Sequence, residues 1–235
     1  KQDEEKKAEA MEVVALIDRF GYAKTIDKAT FERNKEAALS ESKYVISCMN
    51  TDKACIFTDT GRLHLIKITD MPFGRFRDKS IPLDNLGNYD SSGENIIHIC
   101  NLASIQDSMM LFATKTGMLK LVKGSEFDVS KRTVAATKLA DGDSIIAICT
   151  ADNFNQLVLQ TENGYFIRFP MMNIPEMKKT AIGVRGISLG SGDSVKAVYP
   201  LDSSQECTII HNEKELLLNK LKLVNRGGKG TKVRI

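Results

Sequence analysis

The chain of 235 residues contains no tryptophan. That counts against propeller families whose blades carry a Trp-Asp signature. Its three histidines, at 64, 98 and 211, have no partner at metal-ligand spacing. Its five cysteines (48, 55, 100, 149 and 207) are odd in number and form no Cys-x-x-Cys pair. Neither a disulfide framework nor a zinc site is expected, and a reducing cytoplasm is the natural compartment. No apolar run approaches the ~20 residues that a bilayer-spanning helix needs, so no membrane contact is expected. Neither sign of charge dominates, since 33 Lys and Arg face 30 Asp and Glu for a net charge of +3. No nucleophile, base and orienting group can be assembled from the pattern. Gly227-Gly228-Lys229-Gly230-Thr231 lacks the spacing of a phosphate-binding P-loop. The chain is therefore expected to hold no catalytic residue, cofactor or metal. It starts at Lys1 rather than Met and reads as a piece of a longer protein.

What is present is a repeat. Ala54-Cys55-Ile56-Phe57 leads through Thr58-Asp59-Thr60-Gly61 into Arg62-Leu63-His64-Leu65-Ile66-Lys67. Two β-rich runs around a polar turn ending in Gly form a hairpin signal, because Gly supplies the positive φ the turn needs. The pattern recurs around Gly21, Gly117 and Gly164, and a fifth copy over 208–218 has Lys214 where the Gly is expected. A second marker is a strand introduced by an acidic residue beside Gly. It appears as Gly93-Glu94-Asn95-Ile96, Gly142-Asp143-Ser144-Ile145 and Gly192-Asp193-Ser194-Val195, with a looser first copy over 42–48. The acids at 94, 143 and 193 lie 49 and 50 residues apart. Turn and strand-start roles are expected for them, an exposed position for His64, a sheet-face position for His98, and small buried hydrophobes at Cys48, Cys100 and Cys149. Units of this size cannot bury both faces alone, so neighbours must stack as blades about an axis or as an open solenoid. Residues 1–12 are charged helix formers, read as the end of a helix, a linker or a frayed terminus.

Basic residues gather after each hairpin. They are Arg33 and Lys35 in the first unit; Arg75, Arg77 and Lys79 in the second; and Lys131, Arg132 and Lys138 in the third. The fourth has Lys178, Lys179 and Arg185, and the fifth has Arg226, Lys229 and Lys232, with the small residues Gly227, Gly228 and Gly230 among them. Equivalent units place these segments at equivalent points, which makes a belt of positive charge on a nearly neutral protein. Such a belt suits the phosphates of duplex DNA, with small residues allowing close backbone approach. Propeller-type protein scaffolding with an incidental basic rim is the alternative.

Asn225-Arg226-Gly227-Gly228-Lys229-Gly230 resembles the basic glycine-rich box of the C-terminal domain of type IIA topoisomerase A subunits. Phe57-Thr58-Asp59-Thr60-Gly61-Arg62 with Met71-Pro72 is similar to that family's hairpin. The resemblance covers 13–235. It implies an all-β, propeller-like β-pinwheel of five or six four-stranded blades that exchange strands. It also implies a basic edge that binds and wraps DNA, and partners in an upstream breakage-reunion domain and an ATPase subunit. The nucleophilic tyrosine would lie upstream, the isolated domain would be monomeric, and the location cytoplasmic and nucleoid-associated. In gyrase the box belongs to the first blade, where this chain reads Glu32-Arg33-Asn34-Lys35-Glu36-Ala37-Ala38. That departure favours the topoisomerase IV member of the family.

Overall fold

The computed structural model describes residues 9–234. The expected helix or linker over 1–12 lies largely outside them, and β1 already begins at Glu12. The first hairpin is β1 (Glu12–Ile17) and β2 (Tyr22–Asp27), followed by α1 (Lys28–Arg33), α2 (Lys35–Glu41) and β3 (Tyr44–Met49). The second is β4 (Lys53–Thr58) and β5 (Arg62–Lys67), followed by β6 (Ile81–Pro82) and β7 (Ile96–Asn101). The third is β8 (Met109–Thr114) and β9 (Met118–Lys123), followed by β10 (Thr133–Ala135) and β11 (Ile145–Thr150). The fourth is β12 (Gln156–Thr161) and β13 (Tyr165–Pro170), followed by β14 (Val184–Arg185) and β15 (Val195–Leu201). Last come β16 (Thr208–His211), β17 (Lys214–Leu217) and β18 (Thr231–Lys232).

Four sheets have the order β3-β1-β2-β6, β7-β4-β5-β10, β11-β8-β9-β14 and β15-β12-β13-β18; the fifth is β16-β17 alone. Each blade is therefore a hairpin with its own later strand on one edge. On the other edge it carries a short strand donated by the chain after the next hairpin. β6, for example, follows the second hairpin yet pairs with β2, Ala23 opposite Ile81. The strands β3, β7, β11 and β15 pack against one another in sequence and line the inside. The exchanged strands lie on the outside.

The hairpin strands are apolar along their whole length because both faces of a blade are covered. Alternate side chains enter opposite cores. Ile56 and Ala54 pack toward the first blade, while Cys55 and Phe57 pack toward the third. The first blade departs from this. Val13, Ala15 and Ile17 face the second blade, but Val14 and Leu16 are covered by Phe31 and Ala38 of the helices and by Phe76. A helical cap thus occupies the face where another blade would stack. The cap starts at Asp27, whose side chain accepts the Thr30 N–H at 2.6 Å.

Four turns follow the expected chemistry. Gly117, at φ +91°, would place a Cβ 3.0 Å from Ile187 Cγ2 and 3.2 Å from its carbonyl. The fifth turn does not use a Gly equivalent at Lys214. It is a two-residue loop in which Asn212 (φ 50°) and Glu213 (φ 65°) both adopt the left-handed conformation, as a primed hairpin turn requires.

Candidate nucleic-acid interface

Four of the five basic segments lead into, or lie on, an exchanged strand. Arg75, Arg77 and Lys79 precede β6, and Lys131 and Arg132 precede β10, with Lys138 just after it. Lys178 and Lys179 precede β14, which contains Arg185. Arg226 to Gly230 precede β18, which contains Lys232. All of these cations are exposed except Lys179 and Arg226, which are half-buried. Because the four strands pair with equivalent hairpin edges, the charges recur on one edge of successive blades. Arg33 and Lys35 are not brought into this series. They sit on the helical cap among Glu32, Glu36 and Glu41, and Arg77 pairs with Glu41 at 3.1 Å. That pair is solvent-exposed and contributes at most about 1 kcal/mol.

The glycine-rich segment is a fixed loop. The Gly227 N–H donates to the Gly186 carbonyl at 2.8 Å, and the Ser188 N–H donates to the Gly228 carbonyl at 2.8 Å. Gly230 has φ +72°, and a Cβ there would lie 2.3 Å from the Phe166 carbonyl. A side chain at Gly228 would meet open space. Arg226 is tied into the fold, its guanidinium donating to the carbonyls of Asn173 at 2.7 Å and Arg185 at 3.0 Å. Lys229 points outward, being exposed. A hollow of about 480 Å³ beneath the loop is lined by Lys220, Lys222, Asn225, Gly228 and Gly230 among others.

Lys220 and Lys222 are exposed cations on the same outer edge. Sequence reasoning passed over them, because they lie only three and five residues beyond β17, closer to their hairpin than Arg75 and Arg77 are to theirs. It also passed over a set of inward-facing cations. Lys120, 1% exposed, donates to three carbonyls: Lys178 at 3.1 Å, Lys179 at 3.2 Å and Ala181 at 2.7 Å. Burial pushes its pKa down to about 8. Lys24 donates to the carbonyls of Phe76 and Asp78. Arg168 donates to those of Asn219 at 2.8 Å and Leu221 at 2.7 Å. The signal in the sequence was a cation three or four residues after the turn glycines 21, 117 and 164.

His64 takes that place in the second hairpin and overturns the expectation that it is exposed. It is 1% exposed, with Nε2 3.0 Å from Glu94 Oε1 and Nδ1 2.9 Å from Thr133 Oγ1. Its strand is covered on both faces, so alternation carries no inside-outside information there. Burial alone would raise the Glu94 carboxyl. The His64 ring, the Asp90 N–H and the Thr58 hydroxyl outweigh it and hold the carboxyl at about 2. Glu94 is thus a buried tie, whereas Asp143 and Asp193 hold hairpin turns, accepting the N–H groups of Thr116 and Asn163 at 3.0 Å each. His98 lies on a sheet face, 6.3 Å from the Phe57 ring. Cys48, Cys100 and Cys149 are half-buried rather than buried, because inner strands are covered on fewer sides than hairpin strands. All five cysteines are free. Among the described residues no cluster of His, Cys, Asp or Glu is arranged to hold a metal.

A family model described as the DNA gyrase C-terminal domain, beta-propeller, matches residues 108–148 and 155–202. These hold the hairpins and inner strands of the third and fourth blades. The chain is 30% identical over 237 residues to the DNA gyrase A protein of Lawsonia intracellularis, covering 93% of this chain and 29% of that protein. It is 30% identical over 209 residues to the DNA gyrase A protein of Chlamydia pneumoniae, covering 86% and 25%. The chain therefore spans less than a third of the length of these relatives. In fold it is similar to the C-terminal domain of DNA topoisomerase IV, with a TM-score of 0.85 and 20% identity over 96% of this chain and 73% of that one. The DNA gyrase A C-terminal domain is also similar, with a TM-score of 0.63 and 18% identity over 94% and 76%.

Proposed function

This chain belongs with the C-terminal β-pinwheel domains of type IIA topoisomerase A subunits, and from that premise we propose that it binds duplex DNA along its outer edge and bends it. The observation that carries the reading is the placement of four basic segments at or beside equivalent exchanged strands of successive blades. Lys and Arg there supply charge to phosphates without reading bases, so affinity is sequence-independent and falls with salt. A duplex that follows successive blades must curve. Smooth bending of a short site costs roughly 1–6 kcal/mol, offset by the additional phosphate contacts.

Residues 13–235 are the DNA-binding unit in this reading, and 1–12 join it to the breakage-reunion domain. The chain itself performs no chemistry. It delivers DNA to a parent enzyme that passes strands with an ATPase subunit, and so sets substrate choice. The domain is monomeric alone and works in the cytoplasm, on the nucleoid. The first blade favours the topoisomerase IV kind over gyrase. It carries no glycine box, and its helical cap places Glu32, Glu36 and Glu41 beside Arg33 and Lys35, which repels phosphate where a gyrase wrap would be anchored.

End-to-end energy transfer on a short labelled duplex tests the bending. Saturating protein should bring the two ends together, equally for unrelated sequences. Binding with unchanged end separation would leave a straight-duplex binder and sink the bending half of the proposal.

A further inference from the structure

Lys24, Lys120 and Arg168, the second buried and the other two half-buried, each donate to carbonyls of the outer segments that carry the exposed cations. We infer that they are positioning residues for DNA binding, a step that rests on the DNA reading above. An ammonium has three donors, and Lys120 uses all three on backbone carbonyls, two of them belonging to Lys178 and Lys179. The two carbonyls on Lys24 come from Phe76 and Asp78, which alternate with Arg75, Arg77 and Lys79. Arg168 holds the carbonyls of Asn219 and Leu221, which alternate with Lys220 and Lys222.

The same geometry recurs because it solves one electrostatic problem. A segment between strands has free carbonyl oxygens, and oxygens aimed outward repel phosphate. An internal cation turns them inward, which leaves Lys178 and the other exposed cations on the outward side, while the half-buried Lys179 donates its Nζ to the Glu126 carbonyl at 3.0 Å. Each anchor lies in one hairpin and grips the segment that follows the next, so it also fixes the offset between neighbouring blades.

The test is a double-mutant cycle on duplex DNA affinity, measured at low temperature where every variant is folded by circular dichroism. Lys120→Met should weaken binding about tenfold, a loss on the scale of one or two mispositioned phosphate contacts. In a Lys178→Ala background, Lys120→Met should add little, because the exposed group it positions is gone. Lys120→Arg, which keeps the donors, should restore most of the affinity. If Lys120→Met does not fold, the same cycle is run with Lys24→Met against Arg75→Ala and Lys79→Ala. A variant that melts earlier yet binds DNA as tightly as the parent, or a loss of the same size in both backgrounds, would reduce the anchors to fold stability alone and overturn the inference. Absence of binding by the unaltered chain is a different failure: it removes the DNA reading, and the inference with it.

Discussion

Glu94 shows how far a single residue can depart from its repeat. Its counterparts Asp143 and Asp193 hold turns, but Glu94 is 5% exposed and held ionised by His64, Thr58 and a backbone N–H. A carboxyl at about 2 in the fold and near 4.5 when unfolded contributes stability above the unfolded value. That stability is lost as pH falls from about 4.5 through about 2, because the unfolded chain then binds the proton first. The full contribution is roughly 3 kcal/mol. Glu94→Gln should therefore be less stable than the parent at pH 7, with the difference shrinking toward pH 2. Urea titrations across that range read it, and a difference that does not change with pH would mean the carboxyl is not ionised in the fold. The sequence marked residue 94 by its spacing but could not show the role, since Glu at a turn and Glu under a histidine look alike until His64 is placed.

Among the elements, hairpins and inner strands were legible because their signals are local. A turn glycine and an apolar run need nothing from elsewhere in the chain. The exchanged strands were not legible from the residues, since two or three amino acids such as Ile81–Pro82 or Val184–Arg185 carry no periodicity; the family resemblance alone implied them. The helical cap was read as another basic loop, although Asp27 followed by Lys28–Glu41 has an N-cap and good helix formers. The basic segments were found, but not the division of labour inside them. In the glycine-rich loop Lys229 is exposed, while Arg226 binds two carbonyls. Lys229→Ala should leave the melting temperature unchanged and reduce the slope of log affinity against log salt by about one. Arg226→Ala should lower the melting temperature as well as affinity. If both substitutions change only the salt slope, the guanidinium reaches phosphate rather than the fold.

At the scale of the molecule, the five hairpins of the described residues form an array whose cores lie between blades, so each blade depends on its neighbours. The first blade is closed off by helices, and the fifth consists of β16 and β17. A net charge of +3 over 235 residues would not by itself suggest nucleic acid. The concentration of Lys and Arg in the segments that lead into the exchanged strands, with Glu32, Glu36 and Glu41 set apart on the helical cap, is what gives the molecule a cationic edge. Salt screens scattered surface charges within about 10 Å at 0.1 M, whereas release of counterions from a duplex follows the number of phosphates neutralised together. The most direct measurement is duplex affinity for this chain at several salt concentrations, on two duplexes of unrelated sequence. A steep, straight fall of log affinity with log salt, equal for both, with a slope of several units, is the result expected of a phosphate-binding edge. Weak binding that ignores salt, or a marked preference for one sequence, would contradict it.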